Sequence, residues 1–197
     1  MRIFKNLVLL SFIFIQGCIS IPEMNAKFRE IDRVWLVDYQ KDEAPYRKRI
    51  FDVKYQELFD LVKQTATDLG YAVTSANLSS GLISAEANAP TPLSMDEWKK
   101  VADLENPRVK EIGGWFFYMA DDPSDYIIFA RAALVKSKNS VVVTLDYELD
   151  MPEYRELGLT PSRVAPPSSV KIGSMKFWNA LDKKLIDLNY PPSRKIN

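Results

Sequence analysis

Val141, Val143, Leu145, Tyr147 and Leu149 alternate with Val142, Thr144, Asp146 and Glu148. A strand turns successive side chains to opposite faces, so this stretch demands one buried face and one largely wet face. Residues 126–135 precede it across Lys136-Ser137-Lys138-Asn139-Ser140, and the two runs read as an antiparallel hairpin. Such a sheet must be covered on its apolar side, and together with the amphipathic helices elsewhere in the chain this reads as a two-layer α+β arrangement.

The rest of the pattern supplies the covering layer. Residues 46–53 read as a strand that enters a helix near Lys54. Tyr55, Leu58, Phe59, Val62, Ala66 and Leu69 then recur at helical spacing on one face, and Gly70 stands at the left-handed position that ends such a helix. Residues 71–76 and 82–86 form the next hairpin, across Asn77-Leu78-Ser79-Ser80-Gly81. After the proline-rich loop 152–167, a last helix runs from Ser168 or Ser169 to about Leu188. Its expected stripe is Ile172, Met175, Trp178, Leu181, Leu185 and Leu188. The expected fold is α+β: a two-layer sandwich of a mainly antiparallel sheet, about five strands, with two main helices on one face.

Two segments lie outside that scheme. Residues 31–39 (IDRVWLVDY) are rich in β-branched and aromatic side chains and are expected as a strand, followed by a charged loop at 41–45. Residues 87–125 read as an insertion. Within it, Ser94-Met95-Asp96-Glu97 is a capping box that starts a short helix with Met95, Trp98, Val101 and Ala102 on one face. Asn106-Pro107 should stop that helix. Trp115-Phe116-Phe117-Tyr118-Met119 follows, five bulky side chains that cannot all face inward from one strand. Either the stretch is a strand covered on both faces, or part of it is exposed and binds something. Trp115, Phe116, Phe117 and Tyr118 are the candidate partner-binding residues.

Location is written in the first eighteen residues. Arg2 and Lys5 precede the apolar stretch 7–15, which spans only about 14 Å of helix, too short for a bilayer core. Residues 1–17 therefore read as a secretory signal. Ile15-Gln16-Gly17-Cys18 resembles the bacterial lipobox, which implies that Cys18 becomes the lipidated first residue of the mature protein. Acylation there gives stable anchoring. Ile19 follows Cys18, where an inner-membrane lipoprotein of the enteric type would carry Asp, so the expectation is the periplasmic face of the outer membrane. Residues 18–30 are expected as a lipidated tether and 31–190 as a single domain.

Composition then narrows the chemistry. The 197-residue chain has no His, one Cys and seven Gly. Without His the triads and the H-E-x-x-H metal motif are impossible, and no phosphate-binding glycine motif is present. Once the leader with Arg2 and Lys5 is removed, the acidic side chains slightly outnumber the basic ones, and nothing attracts nucleic acid. Asp121, Asp122 and Asp125 read as a solvated turn rather than a cation loop. Asp146, Glu148 and Asp150 read as the wet face of a strand rather than an acid–base pair. Arg47, Lys48 and Arg49 read as ordinary surface rather than a lipid-headgroup contact. The chain is expected to be no enzyme and to hold no cofactor or metal.

The order strand, helix, hairpin, hairpin, long helix behind a lipobox resembles the helix-grip, BamC-like domains of bacterial envelope lipoproteins. The likeness covers residues 46–86 and 126–188. It is carried by Ile50-Phe51-Asp52-Val53, by Leu58, Phe59 and Val62, by Leu69-Gly70-Tyr71, by Gly81-Leu82-Ile83, and by Phe177-Trp178 with Leu181. It implies an anchored accessory or scaffold subunit of an envelope complex with a protein partner. The alternative is an immunity- or inhibitor-type lipoprotein that neutralises one envelope-active effector.

Overall fold

The computed structural model describes residues 19–161 and 163–195. Cys18 and the leader lie outside the described residues. Among the described residues the fold is α+β, a six-stranded antiparallel open sheet with five helices in a two-layer sandwich. In chain order the elements are α1 (Ile21–Arg47), β1 (Lys48–Phe51), α2 (Tyr55–Asp68), β2 (Ala72–Asn77), β3 (Leu82–Asn88), α3 (Met95–Gly113), β4 (Ile127–Ser137), β5 (Ser140–Asp150), α4 (Pro152–Glu156), α5 (Pro167–Asp187) and β6 (Arg194–Lys195). Across the sheet the strands run β2-β3-β4-β5-β1-β6.

The central hairpin is in register from Ile127 opposite Asp150 to Ser137 opposite Ser140. Val141, Val143, Leu145 and Leu149 are buried beneath the helices, as their alternation requires. Leu58, Phe59 and Val62 of α2 and Phe177, Trp178, Leu181 and Leu185 of α5 complete this core. The stripe of α5 is rotated from the expected one. Met175 and Leu188 are exposed, whereas Val170, Gly173 and Ser174 face inward. Small residues do this because they let the helix approach closely: a Cβ on Gly173 would already touch Pro92 and Leu93.

The N-terminal third departs furthest from expectation. Residues 21–47 form one helix, so the tether at 18–30, the strand at 31–39 and the loop at 41–45 are corrected together. The helix begins at a capping box, Ser20 with Glu23, in which the Ser20 N–H donates to Glu23 Oε2 at 2.8 Å. Met24, Phe28, Ile31 and Trp35 recur at helical spacing and turn inward, which outweighs the β-propensity of the residues between them. Two polar side chains of α1 fasten the loop after α4. The Thr160 N–H donates to Asn25 Oδ1 at 2.7 Å and the Val164 N–H to Asp32 Oδ1 at 3.1 Å.

Helix α3 also outruns its expected stop. It passes through Pro107 and ends at Gly114, whose φ of 88° suits glycine. A mid-helix proline costs about 3 kcal/mol in a lone helix. Here the adjacent Asn106 grips another segment, accepting from the Met119 N–H at 2.6 Å. The residue before Asn106, Glu105, is buried and caps a neighbour. Pro166, the residue before α5, offers no side-chain cap, and Glu105 Oε1 accepts from the Ser168 N–H at 3.1 Å instead. Glu105→Ala is expected to cost about 1–3 kcal/mol, read as a shift in the urea unfolding midpoint, because it orphans that part-buried donor.

Lys176 of α5 donates to Glu97 Oε2 at 2.5 Å across the α3–α5 seam. That bond first, and the Ser94 N–H second, hold the Glu97 carboxyl below its ordinary value of 4.5. A depressed carboxyl stabilises the fold above its unfolded pKa. The contribution is lost as pH falls through the lower folded value. Thermal melts of Glu97→Gln and the parent protein should therefore differ at neutral pH and converge as acidification carries the pH below 4.5 and through the lower folded value.

Candidate functional site: an aromatic rim beside the N-terminal helix

Helix α1, helix α3 and the ends of β4 and β5 enclose an apolar cavity of about 240 Å³. Phe28, Ile31 and Trp35 form one wall, Trp98 and Val109 another, and Leu149 with Met151 the floor. No Asp, Glu, Lys or Arg among the described residues lines it. Its polar side-chain atoms come from tyrosine hydroxyls and indoles. The Trp98 N–H is already spent on the Ala120 carbonyl at 2.8 Å. Burial, with Tyr154 beside it, pushes the Tyr126 hydroxyl well above the ordinary phenol range, so it stays neutral. Such a surface can pack or hold an apolar group, and it presents no carboxylate, amine or guanidinium.

The fifth side of the cavity is the aromatic stretch, which is not a strand. It leaves α3 at Gly114, makes a turn in which the Phe117 N–H donates to the Gly114 carbonyl at 3.0 Å, and is then held by Asn106. Its side chains divide. Phe117 and Met119 are 6% and 8% exposed, and Phe117 meets Phe28 edge-to-face at 5.2 Å. Trp115, Phe116 and Tyr118 are 76%, 55% and 62% exposed. Trp115 stacks on Phe116 at 3.6 Å. Of the four candidate residues, Phe117 thus belongs to the core and the other three form a rim. Phe116 and Tyr118 line the cavity mouth together with Ile19, which sequence reading had placed in a tether.

The other charged candidates stand apart from this cavity. Asp121, Asp122 and Asp125 are exposed, and Asp122 Oδ1 accepts from the Ser124 N–H within a tight turn. Among the described residues no group of three or more His, Cys, Asp or Glu could hold a metal ion. Asp146 pairs with Arg47, Glu148 lies 3.9 Å from both Arg131 and Arg163, and Asp150 meets Arg155 at 2.7 Å. Each carboxylate therefore faces an arginine. Arg47 also donates to the Leu145 carbonyl, and Arg49 lies over the Trp178 ring, so two of the three charges in that basic run are turned onto the protein.

The sheet edges differ in how they are guarded. β6 is two residues long and basic, with Arg194 bonded to Asp52 at 2.7 Å. β2 is six residues long, Ala72-Val73-Thr74-Ser75-Ala76-Asn77, without charge or proline and almost wholly exposed. A bulge between Val73 and Ser75 is its one irregularity.

The chain matches no protein-family model, and no curated protein matches it significantly. Among the described residues no helix is long and apolar enough to cross a membrane.

Proposed function

We propose that the protein is a lipid-anchored, non-enzymatic accessory or scaffold subunit of an outer-membrane or periplasmic complex. In this reading Cys18 carries the lipid at the periplasmic face of the outer membrane, and a partner joins by adding a strand to β2. The lipobox and the helix-grip resemblance support the anchor and the setting. The observation that carries the partner is the β2 edge, six residues long, uncharged and free of proline, with a single bulge. Free edges template association, and natural sheets blunt them with charge, proline or shortness, as β6 does here.

The test is in-cell cross-linking from a photoreactive residue at Ser75, followed by purification from gently solubilised envelope. A stoichiometric envelope subunit should be captured, and the pair Ala72→Lys with Ala76→Lys should abolish the capture without lowering the melting temperature. Recovery of the protein alone would sink the reading. Recovery with one secreted effector would move it to the inhibitor alternative.

A further inference from the structure

We infer that the aromatic rim of Trp115, Phe116 and Tyr118 is a lipid-docking surface that seats the domain directly on the headgroup layer of the bilayer. This rests on the anchored reading above. Ile19 lines the same cavity mouth as Phe116 and Tyr118, and the capped helix begins one residue later at Ser20. Consecutive Cα atoms lie about 3.8 Å apart, so a lipid carried by the residue before Ile19 is attached within one residue of the cavity lining. A flexible tether would leave the domain free to turn any face to the lipid. A rigid start holds one end there.

The chemistry of that end suits a bilayer interface. Trp and Tyr pair an apolar ring with a polar handle and concentrate at headgroup depth. Ile21, half exposed in the first turn of α1, adds aliphatic surface near the same end. Residues 114–125 contain no Lys or Arg, while Asp121, Asp122 and Asp125 are exposed. The rim segment itself therefore supplies no cation for anionic lipid, and the occupant it fits is a zwitterionic surface such as phosphatidylethanolamine. A protein partner at this rim would have to sit between the domain and the lipid that holds it. The bilayer meets the rim first, at the high effective concentration that a covalent link imposes.

The register adds a consequence. The cavity lies at the end of the sheet marked by Leu149 and Tyr126, whereas the turns after β2 and β4 lie at the other end. Along β4 that separation is roughly 33 Å. Docking by the rim would hold the β2–β3 turn away from the lipid, where a partner can reach the edge.

Tryptophan fluorescence tests this cleanly, because Trp35, Trp98 and Trp178 are buried and Trp115 alone is exposed. The full chain, processed in cells and purified with its lipid, is reconstituted into phosphatidylcholine–phosphatidylethanolamine vesicles containing lipid brominated near the top of the acyl chain. Strong quenching is expected, insensitive to salt, together with loss of acrylamide access. Trp115→Phe should reduce both signals to the background of the buried indoles, and Phe116→Ser with Tyr118→Ser should weaken the quenching. Mass analysis of the N-terminal peptide reports the anchor independently. Acylated, vesicle-bound protein whose Trp115 stays open to acrylamide and unquenched would overturn the docking surface and leave the anchor standing. An unacylated Cys18 would overturn both.

Discussion

Trp178→Ala is expected to lower the unfolding free energy by about 5 kcal/mol or more, enough to leave little native protein at 37 °C. The side chain is fully buried in the α5–sheet core. It meets Phe177 edge-to-face at 5.3 Å and Phe51 at 6.0 Å, and Arg49 lies over its ring. Truncating such a residue costs about 3–5 kcal/mol through lost transfer energy and the cavity left behind. The indole N–H also donates to the Tyr46 carbonyl at 2.6 Å, at the junction of α1 and β1. An unsatisfied buried carbonyl adds about 1–3 kcal/mol. Trp178→Phe separates the two contributions, since it keeps most of the volume and drops only the donor. Urea unfolding followed by circular dichroism checks both. A shift under about 1 kcal/mol for Trp178→Ala would mean that the helix–sheet seam is not the stability core.

Trp178 was legible from its spacing, and the contrast with α1 shows what makes an element readable. Around Val141 the period of two, and around Leu58 the period of three to four, agreed with local propensity. At residues 31–39 they conflicted. Ile31, Val34, Val37 and the aromatics favour a strand locally, while Met24, Phe28, Ile31 and Trp35 mark a helical face over a longer window. Ser20-Ile21-Pro22-Glu23 is the same kind of capping box that identified the start of α3 at Ser94, with proline in the first turn, where it is tolerated. The information was present, and the longer period decides because tertiary burial outweighs propensities worth only tenths of a kcal/mol per residue.

Other features depend on contacts that no local pattern carries. Pro107 ordinarily ends a helix, yet α3 continues through it, and the adjacent Asn106 is tied to Met119, thirteen residues on. The inward face of α5 includes Gly173 and Ser174, which a count of large apolar residues passes over. The site was half legible for the same reason. The stretch from Trp115 to Tyr118 stood out by composition, but the α1 wall facing it depended on a helix read as tether and strand. The exposed, uncharged β2 edge required the strand order, which places β2 outermost and β6 at the far side.

Phe117→Ala is expected to cost about 3–5 kcal/mol, whereas Trp115→Ser with Phe116→Ser should stay within about 1 kcal/mol of the parent. The difference follows from where consecutive side chains point. Phe117 is 6% exposed against Phe28, and a Cβ on the preceding Gly113 would lie 2.3 Å from its ring, so helix end and ring are fitted together. Trp115 and Phe116 stack on each other in the open, and removing both forfeits that stack and little else. Paired thermal and urea melts decide the matter. A folded double variant beside an unfolded or strongly destabilised Phe117→Ala establishes that the stretch is split between core and surface. It also makes the double variant a clean reagent for binding experiments. If the double variant unfolds as well, the exposed rings are structural, and neither lipid nor protein contact at the rim can be read from their loss. Equal tolerance of all three changes would instead detach the segment from α1 and remove the fifth side of the cavity.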